Sequence, residues 1–153
     1  DLEDLKKVFE ACGFKDVKTI ATSGNVAFSA ALAEAAVVKK AEAELKKRLG
    51  METPVHLRSR DELKKMVQAD PYKKFSIPDD AKCVITFLDA TTKPAIKLPH
   101  EQDLTSILII KDGVAYSFYR PNPKGAVFMK VLEKAFGKGV TTRTWDMINR
   151  LVT

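Results

Sequence analysis

Arg58 and Arg60 stand just ahead of a helical stretch, and Arg143 and Trp145 stand near the end of the sequence. A guanidinium offers paired N–H donors that match the oxygens of a carboxylate or phosphate. Brought together by folding, these four residues would make an anion pocket. The competing reading buries Trp145 beneath Arg143 and leaves Arg58 and Arg60 in solvent. A second group is Ser23-Gly24-Asn25, whose hydroxyl and amide could face a ligand at a sheet edge. Turn chemistry explains the same triplet, because Gly supplies positive φ while Ser and Asn bond their own backbone. A third group is basic: Arg120, Lys124, Lys130, Lys134 and Lys138, with Tyr116, Phe118 and Tyr119 nearby. Some RNA-binding sheets stack bases on strand aromatics flanked by such cations. However, the basic–Gly–aromatic–Gly–aromatic run of those sheets is missing. Val114, Tyr116 and Phe118 also alternate as a core face does, and lysines on a helix are ordinarily solvated.

Other chemistry is not written into the chain. His56 and His100 are the only histidines, with no cysteine or carboxylate at ligand spacing around either. There is no Gly-x-Gly-x-x-Gly, no phosphate loop ending in Gly-Lys-Ser/Thr, and no Gly-x-Ser-x-Gly elbow. The expectation is therefore no catalytic residue, no metal and no cofactor.

The side chains that must hold these groups in place belong to a globular domain. Apolar residues make up 45% of the 153 and charged residues 30%, enough to bury a core and too apolar for disorder. The longest uncharged apolar run, Ile107-Leu108-Ile109-Ile110, is far too short to span a bilayer, so no membrane partner is expected. No basic-plus-apolar leader opens the sequence, and Cys12 and Cys83 read as reduced core thiols rather than a bridge. Both features point to the cytoplasm. The net charge of +6 is uneven: residues 1–70 carry 13 Lys/Arg against 12 Asp/Glu, and residues 71–153 carry 13 against 8. A basic second half suits an acidic partner such as nucleic acid.

Periodicity supplies the elements. Leu2, Leu5, Val8, Phe9 and Cys12 repeat at helical spacing, with Gly13 as the stop. Two short strands over 17–22 and 26–29 flank the Ser-Gly-Asn turn. A long helix over 33–49 carries Val38, Ala41, Leu45 and Leu49 on one face and closes at Gly50, and a short strand is expected over 54–58. Ser59-Arg60-Asp61-Glu62 is a capping box. It opens a helix that buries Leu63, Met66 and Val67. A strand over 82–88, apolar on both faces, reads as central, and a short helix is expected over 94–98. Strands over 104–110 and 114–119 flank Asp112-Gly113, both of which tolerate positive φ. Helices over 127–136 and 145–151 complete the chain.

The two halves share a grammar. The second reads strand, helix, hairpin, helix; the first reads helix, hairpin, helix, strand, as though its opening strand were missing. Strand–helix–strand–strand–helix–strand is the split βαβ, or ferredoxin-like, pattern. The expected fold is α+β with two such units, each an antiparallel-rich sheet with helices packed on one face: 1–70, a connecting segment 71–81, and 82–153, whose final element is a helix without an obvious last strand.

The residues also resemble a known family. Ala11-Cys12-Gly13-Phe14-Lys15-Asp16-Val17 running into Ser23-Gly24-Asn25-Val26, Val55 to Ser59 before a helix, and Thr141-Thr142-Arg143-Thr144-Trp145 are similar to the bacterial domain of unknown function 1697 family. The resemblance implies a cytoplasmic protein of two ferredoxin-like units and carries no assigned activity. Three departures stand out. The family's opening strand and Arg-Gly-x-Asn-Val-Gly loop are absent, Lys124-Gly125-Ala126-Val127-Phe128 replaces a Gly-x-Ser-Lys-Leu segment, and Thr144 stands where asparagine is usual. Asn and Thr are both good helix N-caps, which assigns that position to capping rather than catalysis.

The functional expectation is a small non-catalytic domain that binds an anionic ligand or partner through its basic second half. Its alternative is an enzyme with a cleft between the units, lined by Asn25, Arg58, Arg60 and Arg143. A homo-oligomer paired through an open sheet edge is a third possibility.

Overall fold

In the computed structural model, which describes residues 1–20, 24–89 and 91–153, the chain divides after Leu57 into the units Asp1–Leu57 and Arg58–Thr153. The first unit is built from α1 (Leu2–Ala11), β1 (Lys15–Ile20), β2 (Asn25–Ser29) and α2 (Glu34–Leu49). The strands form a two-stranded antiparallel sheet. Val8 and Phe9 of α1 and Cys12 at its C-cap are buried against Val17, Val37, Ala41 and Leu45, and Phe14 stacks on Phe28 at 4.6 Å between ring centroids. In α2 the buried stripe is Val37, Ala41 and Leu45; Val38 and Leu49, expected on that stripe, are more exposed.

The strand expected over 54–58 does not form. Residues 51–59 are irregular, and the Val55 amide donates to the Glu42 carboxylate at 2.8 Å instead of to a ladder. Val55 and Leu57 still pack on the core, so their apolar character is used without strand pairing.

The second unit contains α3 (Arg60–Ala69), a 3-10 turn (Pro71–Lys74), β3 (Lys82–Phe87), β4 (His100–Gln102), β5 (Thr105–Lys111), β6 (Val114–Tyr119), α4 (Phe128–Phe136), β7 (Thr141–Thr144) and α5 (Trp145–Leu151). Its five strands lie in the order β4-β5-β6-β3-β7, and every neighbouring pair is antiparallel. As expected, β3 is interior, flanked by β6 and β7. The capping box at Ser59 is present, with Glu62 N–H donating to Ser59 Oγ at 3.1 Å and Ser59 N–H to Glu62 Oε1 at 3.0 Å. Asp112 (φ 51°) and Gly113 (φ 75°) both adopt positive φ in the β5–β6 turn, the geometry that matches strand twist.

Five expectations need correction in this unit. Helices cover both faces of the sheet, not one. Leu63, Met66 and Val67 of α3 and Ile148 of α5 pack on the face carrying Ile85, Phe87, Tyr116 and Phe118. Val131, Leu132, Ala135 and Phe136 of α4 pack on the face carrying Val84 and Ala115. The reason is in β3 and β6: each is buried at consecutive positions, so both pleats are apolar and both need cover. The boundary follows from the same packing, because α3 joins the second unit rather than closing the first. The segment 71–81 is also more than a connector, since Tyr72 is buried in the second unit's core. The helix expected over 94–98 is absent. Ile96 and Leu98 pack beside α4 residues, and the Ala95 amide donates to the Ala135 carbonyl at 3.2 Å. Finally, the second half does possess a last strand, β7, paired along β3 from Val84↔Thr144 to Phe87↔Thr141.

Candidate functional site

In a β-ladder, residues directly opposite one another share a face and successive residues alternate. The register Ile85↔Arg143 and Ile85↔Tyr116 therefore sets Arg143, Ile85 and Tyr116 in one row across β7, β3 and β6. One row further along that face stand Thr141, Phe87 and Val114. Arg143 reaches back along its own strand: Nη1 donates to Thr141 Oγ1 at 2.7 Å and to the Thr142 carbonyl at 2.9 Å. Burial pushes its pKa down, yet an arginine keeps its charge in proteins. Arg58 comes to the same place from the start of the second unit. Its guanidinium carbon lies 5.2 Å from the centre of the Phe87 ring, within cation–π range, and a Cβ built on Gly113 would lie 3.4 Å from its Nη2. Of the four residues proposed to gather, Arg58 thus lies over Phe87, and Arg143 is bound to Thr141, the residue opposite Phe87 on the neighbouring strand.

The other two do not join them. Arg60 is exposed in the first turn of α3. Trp145 packs edge-on against Tyr72 at 5.3 Å and Tyr116 at 6.0 Å, so its ring belongs to the core. Thr144 caps α5 by accepting from Met147 N–H at 3.1 Å, the role inferred for that position. Asn25 donates from its side-chain amide to the Ile20 carbonyl at 3.1 Å, closing the hairpin as turn chemistry requires. Ser23 lies outside the described residues. Asn25 belongs to the first unit, and the three arginines to the second.

The basic group is distributed differently from the expectation of a base-stacking sheet. Tyr116 and Phe118 are 2% and 8% exposed, beneath α3 and α5, and Tyr119 stacks on Phe128 at 3.9 Å. These rings fill the core and cannot present a face to bases. Arg120 is bound to Asp80 through Nε at 2.9 Å and Nη2 at 3.3 Å, which holds the Asp80 carboxyl below its ordinary pKa. Lys124 lies 3.7 Å from Asp103, and Lys138 lies 3.9 Å from Glu133. Lys130 and Lys134 are exposed on the outer side of α4. Among the described residues no group of three His, Cys, Asp or Glu side chains is placed to hold a metal ion.

Phe87, Gly113 and Thr141 carry the arginine arrangement, and no chemical motif in the sequence marks them. One signal was available: in a strand, the alternation Thr141-x-Arg143 puts both side chains on one face.

A family model described as "Protein of unknown function (DUF1697)" matches residues 1–116. The match includes Arg58, Phe87 and Gly113 and stops before Thr141–Thr144. No curated protein and no solved structure matches the chain.

Proposed function

This chain belongs to the DUF1697 family, whose description names no activity, and from that premise we propose that it is a non-catalytic domain that binds a phosphate-bearing partner, nucleic acid first among them, through its second unit. The observation that carries the reading is how charge divides along the structural boundary. Residues 1–57 hold 9 Lys/Arg against 9 Asp/Glu, and residues 58–153 hold 17 against 11. The first unit is neutral and the whole net charge of +6 sits on the second. Such segregation concentrates the positive potential that draws a polyanion. Because the strand aromatics are core residues, recognition works through cations on helices and loops, with Lys130 and Lys134 on α4 as its exposed elements.

The order β5-β6-β3-β7, all antiparallel, with α4 crossing between β6 and β7, supports reading the second unit as a split βαβ sheet. In that reading its first crossover has become a loop ending in β4. Free thiols at Cys12 and Cys83 support a reducing compartment, hence the cytoplasm.

The test is fluorescence anisotropy of the full chain with labelled RNA and single-stranded DNA at low salt. Affinity should fall linearly on a log–log plot against salt, because phosphate contacts release counterions. Replacing Lys130 and Lys134 by Gln should lower the slope by about 1 for each lysine that contacts a phosphate. Absence of salt-sensitive binding to either polymer would sink the nucleic-acid reading.

A further inference from the structure

We propose that Arg58, laid over Phe87, and Arg143, bound to the residue paired with Phe87, form a discrete site for a single phosphate group on one face of the second sheet. The inference deepens the reading above and rests on it. Long cationic side chains on a helix attract polyanions diffusely; these two are built differently. Arg143 is threaded along β7 and oriented by the Thr141 hydroxyl at 2.7 Å and the Thr142 carbonyl at 2.9 Å. Arg58 is laid over the Phe87 ring at 5.2 Å, alongside the Gly113 backbone. Both side chains are only partly exposed, so much of the rotamer entropy that a ligand would have to remove is already spent in folding.

Spacing favours one group over a polymer track. Thr141 and Phe87 are direct partners on adjacent strands, and adjacent strands are about 5 Å apart. Arg143 is anchored at Thr141 and Arg58 at Phe87, which puts the two guanidinium groups within roughly two strand spacings of each other. A tetrahedral dianion can take N–H donors from two directions, the arrangement for which the planar, forked guanidinium is suited and an ammonium is not. The phosphate could be free or a nucleic-acid phosphate, and the experiment separates these sources.

The readout is intrinsic. Trp145 is the only tryptophan and follows Arg143 by two residues, so its fluorescence reports on this end of the sheet. The full chain is titrated with inorganic phosphate, and separately with a short RNA, with thermal melting of every variant as the folding control. Saturable quenching or enhancement by phosphate is expected, weakened about tenfold in Arg143→Lys and in Arg58→Lys, and weakened less in Thr141→Val, which keeps both charges but removes one of the two acceptors that orient Arg143. Lys39→Gln, at an exposed lysine of α2 in the first unit, should leave phosphate binding unchanged. A source in nucleic acid is indicated if RNA binds more tightly than phosphate and the arginine variants weaken both. Phosphate binding that ignores both arginine substitutions, or no phosphate binding while RNA binding persists, overturns the site and spares the broader reading. Failure of both ligands overturns the broader reading as well. Should Arg143→Lys melt early, Arg58→Lys decides, because Arg58 lies outside the sheet ladder.

Discussion

The hydroxyl of Tyr72 accepts a hydrogen bond from the Ser117 N–H at 3.2 Å and lies 2.8 Å from the Ser117 carbonyl oxygen, tying a turn that precedes the sheet to the middle of β6. The same hydroxyl is 2.8 Å from the carbonyl of Val84, the residue opposite Ser117 on β3. Tyr72 is thus fastened to both interior strands at once, while its ring packs edge-on against Tyr116 and Trp145.

Tyr72→Phe should therefore destabilise the second unit while keeping the ring contacts. Leaving buried main-chain groups short of a partner costs about 1–3 kcal/mol. Urea unfolding monitored at Trp145 should show a lower midpoint with an unchanged m-value. An unaltered midpoint would mean that the hydroxyl anchors nothing.

Stability should fall on the alkaline side. Burial raises the pKa of the Tyr72 and Tyr116 phenols and of the Cys12 and Cys83 thiols. In the unfolded chain these groups ionise near their ordinary values, about 10 for Tyr and about 8.5 for Cys. Above those values the unfolded state holds fewer protons than the folded one, so unfolding becomes easier as pH rises. The stabilising effect is complete below about pH 8 and is lost progressively above it. Equilibrium unfolding at stepped pH should show this decline, and Tyr72→Phe should make it shallower.

Gly113→Ala should cost about 1–2 kcal/mol, the penalty of a left-handed conformation for a residue with a Cβ. Gly113 has φ 75°, and the new methyl would meet Arg58 Nη2 at 3.4 Å, an ordinary contact. Backbone strain, not crowding, is the cause. Asp112→Asn should be tolerated, since asparagine accepts positive φ readily. A comparison of melting temperatures checks both.

The two capped helices make a matched pair of tests. Ser59→Ala removes the acceptor for Glu62 N–H, and Thr144→Ala removes the one for Met147 N–H. Each should cost about 1 kcal/mol. Thr144→Asn should change stability by less than that, because asparagine caps at least as well. A large loss in Thr144→Asn would assign the position something other than capping.

Sequence patterning reached furthest where the local signal was complete. The β6 strand and α5 formed at their expected residues, because a positive-φ turn and a polar cap mark their beginnings. The capping box, the Gly50 stop and the shared core face of Val114, Tyr116 and Phe118 were likewise local facts. So was the Thr144 cap. What each element packs against was not local. The apolar stripe of α3 was plain, yet only the folded chain shows it serving the second unit.

The same limit explains β7 and the candidate site. Thr141-Thr142-Arg143-Thr144 has no apolar alternation to announce a strand; it becomes one because β3 offers an edge, with Thr86 and Thr142 hydroxyls 3.0 Å apart across the pair. Conversely, 54–58 has strand-like residues and no ladder. Types and spacing alone determined which residues prefer to curl, turn or hide from water, and which could grip an anion. Tertiary structure alone decided where each of the four grouped candidates lies, because the row Arg143–Ile85–Tyr116 depends on strand register and the approach of Arg58 to Phe87 on a contact between residues distant in sequence, and no local pattern encodes either.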